Sequence, residues 1–95
     1  MKIRTNHSYK YREIAGEYYL IPTLQAAERS RIPMQLTETA AWIWMQIEAS
    51  KDIDEIAIAM TEEFEVTFAV ASNDVERFVS FLLNHGFLEE TQTHA

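Results

Sequence analysis

The sequence predicts an α+β fold in the order β-β-β-α-α-α, built as one compact unit over residues 1–95. Two observations carry this. Short apolar and aromatic runs broken by Gly16, Pro22 and Pro33 fill the first third, as strands and turns do. From Thr37 onward the apolar spacing changes to the helical period of 3.6 and does so three times. Composition agrees: apolar residues make up 47% and charged residues 24%, with two glycines and two prolines, which argues against disorder and against a turn-rich all-β chain. A domain this small buries a modest share of its surface, so its core depends on clean patterning.

Residues 1–8 are polar and carry little pattern. Tyr9-Lys10-Tyr11-Arg12 alternates aromatic with basic, and Tyr18-Tyr19-Leu20-Ile21 follows Ala15-Gly16-Glu17, which reads as a hairpin whose tyrosines pack on the sheet. Residues 23–31 read as a loop. Ile32, Met34 and Leu36 then alternate with Pro33 and Gln35, and Pro33, unable to donate to a ladder, places this strand at an edge.

Thr37 is a good N-cap for a first helix with Ala40, Ile43, Trp44 and Ile47 on one face, leaving Trp42 off the stripe. Asp52 and Glu55 have capping-box spacing for a second helix with the stripe Ile53, Ile56, Ala57, Met60 and Phe64. Glu62, Glu63 and Glu65 near its end read as a solvated face rather than a docking patch for a basic partner. A third helix is expected from about Val70 to His85 on the stripe Ala71, Val75, Phe78 and Leu82. Gly86 stands at its left-handed C-cap position. Phe87-Leu88 returns to the core, and residues 89–95 are expected to fray. Order is thus expected over about residues 8–88.

Eight basic residues face fifteen acidic ones, a net charge of −7. Polyanions and anionic membranes are disfavoured by that field. Without cysteine there is neither a disulfide nor a thiolate metal site. The N-terminus lacks a signal-peptide stretch and no run is long enough to span a bilayer, so the expected location is cytoplasmic. His7, His85 and His94 form no zinc spacing, and there is no phosphate loop and no nucleophile elbow. Glu62 and Glu63 point apart on a helix. The expectation is a non-enzyme with no cofactor and no metal.

Two features exceed what a core requires. The edge strand carries Arg31, Pro33 and Gln35 outward, which is no uniform charged guard against pairing. The third helix has an apolar arc of about 200° at about 100° per residue, because Phe81 extends one side of the stripe while Val79 and Leu83 extend the other. One flank faces the core and the other a groove, and the wheel alone does not say which. An edge beside such a helix suits strand addition by a guest peptide. Four or five backbone bonds at about 1 kcal/mol each fall short of the roughly −8 kcal/mol of micromolar binding, so anchors in the groove must supply the rest.

The chain resembles the PqqD-like family, the RiPP recognition elements that serve the making of ribosomally synthesised, post-translationally modified peptides. The resemblance runs over about residues 10–88. It is carried by Glu13-Ile14-Ala15-Gly16-Glu17-Tyr18-Tyr19-Leu20, by Leu36-Thr37-Glu38-Thr39-Ala40-Ala41-Trp42-Ile43-Trp44, by Asp52-Ile53-Asp54-Glu55-Ile56, and by Asp74-Val75-Glu76-Arg77-Phe78-Val79 with Gly86-Phe87-Leu88. Thr37 replaces a usual asparagine, Ala40 a usual glycine, and Glu48-Ala49-Ser50-Lys51 a usual Asp-Gly.

The resemblance implies a winged helix-turn-helix-like domain, a three-stranded antiparallel sheet followed by three helices. It also implies a peptide chaperone that binds a precursor's leader peptide as an added strand and presents it to a modifying enzyme, often a radical SAM protein. On this chain the implied peptide-binding residues are Arg31, Ile32, Pro33, Met34, Gln35 and Leu36 on the strand side. On the helix side they are Asp74, Val75, Arg77, Phe78, Val79, Phe81 and Leu82. Two other readings remain: a winged-helix nucleic-acid binder or transcription cofactor, which the charge disfavours, and a structural subunit of a larger enzyme. The unguarded edge also admits a homodimer.

Overall fold

Residues 2–23 and 33–91 are described by the computed structural model. Strands β1 (Lys2–Thr5), β2 (Tyr9–Ile14), β3 (Glu17–Pro22) and β4 (Met34–Leu36) precede helices α1 (Glu38–Glu48), α2 (Ile53–Glu63) and α3 (Phe68–Asn84). Strand β5 (Leu88–Thr91) closes the order. Apart from Thr23, the loop expected over residues 23–31 lies outside the described residues.

The three-stranded sheet is antiparallel in the order β2-β3-β4. Its hairpin register, Ile14 opposite Glu17, leaves Ala15 and Gly16 as a two-residue loop. Both have positive φ, 52° and 81°, the pair of conformations that suits the twist of the flanking strands. Gly16 adopts its angle freely, whereas Ala15 carries a Cβ against the following carbonyl. Ala15→Asn is therefore expected to raise stability by about 1 kcal/mol, seen as a higher urea midpoint at unchanged slope.

Pleating sends Tyr11, Tyr18, Leu20, Met34 and Leu36 toward the helices, with Leu20 at 0% exposure. Tyr11 and Tyr18 stack diagonally across the hairpin, centroids 6.3 Å apart, which is the sheet packing expected of them. Burial first, then Glu13, Tyr18 and Glu48, raise the Tyr11 pKa above its ordinary 10.0. The folded state thus holds this proton more tightly than the unfolded chain. Its contribution is fully present below pH 10.0 and is lost as pH rises through the raised value. The urea midpoint of the wild type should accordingly fall more steeply above pH 10.0 than that of Tyr11→Phe.

Each helix begins at a side-chain cap. Thr37 accepts from the Ala40 N–H at 3.1 Å. Asp52 accepts from the Glu55 N–H while Glu55 accepts from the Asp52 N–H, the reciprocal box read from the sequence. Thr67 accepts from the Val70 N–H, so α3 starts at Phe68, two residues before the expected Val70. Phe68 and Val70 are exposed, and that first turn has no buried stripe to announce it. At the far end Gly86 takes φ 78°, and the Phe87 N–H donates to the Leu82 carbonyl at 2.9 Å, a Schellman closure.

The chain ends depart from expectation. Residues 1–8 read as patternless and 89–95 as frayed, yet β1 pairs antiparallel with β5 as a second, two-stranded sheet. Ile3 and Leu88 bury one side of it, and Arg4 meets Glu89 on the other at 2.9 Å. Asn6 fastens this pair to the end of α3: its Nδ2 donates to the Gly86 carbonyl and its backbone N–H to that of Phe87. Tyr9 lays its ring 4.4 Å from that of Phe87. The core between sheet and helices holds Trp44, Leu20, Ile43, Ile56, Leu82, Val75 and Val79, each below 2% exposure.

Candidate functional site: an edge strand leading into an interhelical groove

β4 pairs with β3 through Leu36 opposite Tyr18, Gln35 opposite Tyr19 and Met34 opposite Leu20. Among the described residues its other side has no strand partner. Leu36 is buried, Met34 half-buried, and Pro33 and Gln35 are exposed. Gln35 is held outward by a hydrogen bond from its Nε2 to Glu17. One side chain in two thus anchors the strand to the core, and among the described residues no strand pairs with its outer backbone edge. Arg31 and Ile32, the first two residues expected on this strand side, lie outside the described residues.

Where β4 ends at Leu36, Thr37 opens a groove of about 320 Å³ between α1 and α3. Thr37, Thr39, Ala40 and Ile43 line it from α1, and Asp74, Arg77 and Phe78 from α3. The wheel ambiguity of α3 is resolved by burial. Ala71, Val75, Val79 and Leu82 are its buried residues, a stripe at steps of three and four that the core consumes. Val75, Val79 and Leu82 therefore offer a guest no exposed side chain. Val79 replaces the half-buried Phe78 as a stripe residue. The opposite flank, with Asp74, Arg77 and Phe78, faces the groove.

Phe81 is also on that outward flank, 42% exposed, but outside the groove lining. Its ring lies 4.2 Å from that of His85, whose Nδ1 donates to the Phe81 carbonyl at 2.8 Å. The imidazole thereby covers part of an apolar surface at the helix end.

Asp74 and Arg77 are both exposed and, among the described residues, neither enters an ion pair. They set a charge of each sign on the rim above an apolar wall formed by Phe78, Ile43 and Ala40. Such a rim orients a bound chain while the wall supplies burial. The threonines and alanine of α1 were not expected here. Ala40 and Ile43 sit on the apolar stripe of α1, and a stripe residue gives no sequence signal of whether core or cleft covers it. Among the described residues no three His, Asp or Glu side chains could hold a metal ion, and no helix is long and apolar enough to cross a membrane.

The family model described as Coenzyme PQQ synthesis protein D (PqqD) matches residues 24–88, more than half of the chain and both walls of the groove. No curated protein matches. Two solved structures share the fold. One is TbiB1 in complex with the TbiA(β) leader peptide, with a TM-score of 0.77 and 21% identity over 95% of this chain and 99% of that one. The other is lasso peptide synthetase B1 complexed with the leader peptide, with a TM-score of 0.80 and 22% identity over 95% of this chain and 100% of that one.

Proposed function

Since this chain belongs to the PqqD family, we propose that it binds the leader segment of a ribosomally made precursor peptide and presents it to a separate modifying enzyme. The guest adds as a strand to β4 and seats side chains in the groove between α1 and α3. The chain recognises and delivers, and the chemistry belongs to its partner.

The observation that carries this reading is the continuity of β4 with the groove. Thr37, the residue that follows the edge strand β4, lines a cleft with an aromatic wall and a two-signed rim. Backbone pairing gives affinity without sequence preference, and the cleft adds the preference. The two neighbours of the same fold are each complexed with a leader peptide, which supports the assignment.

The outward face of α3 carries Asp74 and Glu76 with a single Arg77, a poor match to a phosphate backbone. That weighs against the winged-helix DNA reading.

The test is a titration with the leader of a candidate precursor, followed by backbone NMR. Amide signals of residues 34–36 and of the Asp74–Phe78 flank should move and saturate. Signals that stay in place at saturating peptide would sink the reading, and a salt-dependent gel shift with duplex DNA would revive the alternative.

A further inference from the structure

We propose that a second pocket, between α1, the end of α2 and β3, receives an arginine or lysine side chain from a partner protein. That partner is the modifying enzyme itself, an identity that rests on the function proposed above. The pocket measures about 250 Å³, and Trp42, Phe64, Tyr18 and Met45 form its walls with Glu38 and Glu63 alongside.

The chemistry of these groups selects a cation. Trp42 and Phe64 meet edge to face, centroids 5.3 Å apart at 89°. In that arrangement at least one face of each ring is left uncovered by the other. A cation over such a face is attracted by the ring quadrupole. Both carboxylates are exposed, and among the described residues no basic side chain lines the pocket and neither carboxylate enters an ion pair.

Glu63 also stands in the last turn of α2, which holds no basic residue, so its charge opposes the helix dipole. A docked cation relieves that opposition. The sequence reads Glu62, Glu63 and Glu65 as a solvated face; of the three only Glu63 lines this pocket. The net charge of −7 draws basic partners toward the chain as a whole.

Size and position narrow the occupant. Small-molecule sites begin at about 300 Å³, so this pocket suits one long side chain rather than a cofactor. Met45, 41% exposed, supplies an adaptable wall for an alkyl stem. At about 100° per residue, Glu38, Trp42 and Met45 lie on the side of α1 opposite Thr39, Ala40 and Ile43. The pocket is therefore accessible while a peptide fills the first groove, and the domain can hold substrate on one side of α1 and enzyme on the other.

The probe is N-acetyl-arginine methylamide, followed by the indole N–H signal of Trp42 and the methyl signal of Met45. Both should shift and saturate, the buried Trp44 indole should not move, and the neutral citrulline counterpart should shift neither. The double variant Glu38→Gln, Glu63→Gln replaces two exposed side chains and should raise the apparent Kd about threefold or more. An equal response to citrulline, a response without saturation, or one the double variant leaves unchanged would overturn the proposal. So would a Trp42 shift driven by leader peptide, which assigns the pocket to the substrate, or by protein concentration alone, which assigns it to a second copy. Leader-induced shifts at residues 34–36 report separately on the function proposed above, so the two readings fail independently.

Discussion

Trp44→Ala is expected to lower stability by about 3–5 kcal/mol. The side chain is at 0% exposure and is the largest in the core. It lies mid-way along α1, the helix that packs against β1, β3, β4 and α2. Few neighbours can collapse into the vacated volume without moving one of those elements, so the cavity penalty adds to the lost transfer energy. A chain of 95 residues has a total stability on the order of 5–14 kcal/mol, of which this is a large part. The expected fall in Tm is about 15–30 °C.

Trp44→Phe sharpens the prediction. The Trp44 Nε1–H has no hydrogen-bond partner among the described residues, and phenylalanine removes that buried donor along with only part of the ring. Its cost should be well under half that of alanine, since eliminating an unpaired polar group offsets some lost packing. Equal thermal melts for wild type and Trp44→Ala would contradict the core assignment.

What the sequence disclosed and what it concealed follow from the range of the interactions involved. The β2–β3 hairpin is written locally: an aromatic alternation, Ala15-Gly16, then the short apolar run Tyr18-Tyr19-Leu20-Ile21. The caps Thr37 and Asp52 and the closing Gly86 are local as well, and each occupies its expected position. β1 and β5 are the opposite case. Each spans four residues, with Ile3 and Leu88 as buried anchors. Their pairing joins the two ends of the chain, and no local pattern reports on it.

The site divides along the same line. An edge strand is legible from Pro33, and a flank of α3 beyond what the core needs is legible from the over-wide apolar arc. The arc does not show that Val79 turns inward while Asp74 and Arg77 turn out, because neighbouring α2 decides it. Nor does the α1 wall show, since Ala40 and Ile43 satisfy the core stripe equally well in a one-sided helix. Trp42, off its stripe, was the one visible sign of a second surface on α1, and Phe64 is the ring that meets it.

Phe78→Ala is expected to weaken leader binding by about 2 kcal/mol, roughly thirtyfold in Kd. Phe78 is half-buried, so its ring is already positioned by the core and loses little freedom when a guest covers it. It contributes the aromatic wall of the groove, and aromatic anchors in desolvated pockets dominate binding energies. Asp74→Ala and Arg77→Ala should each cost under about 1 kcal/mol, because both are exposed rim charges. Their larger effect should be on the salt dependence of association. Phe78→Leu separates binding from folding: it keeps apolar volume against the core, so it should melt near wild type while losing much of the aromatic contact. A folded Phe78→Leu or Phe78→Ala protein with wild-type affinity by calorimetry would place the peptide outside this groove. A large loss confined to the two charge variants would mean that the rim, and not the wall, holds the guest.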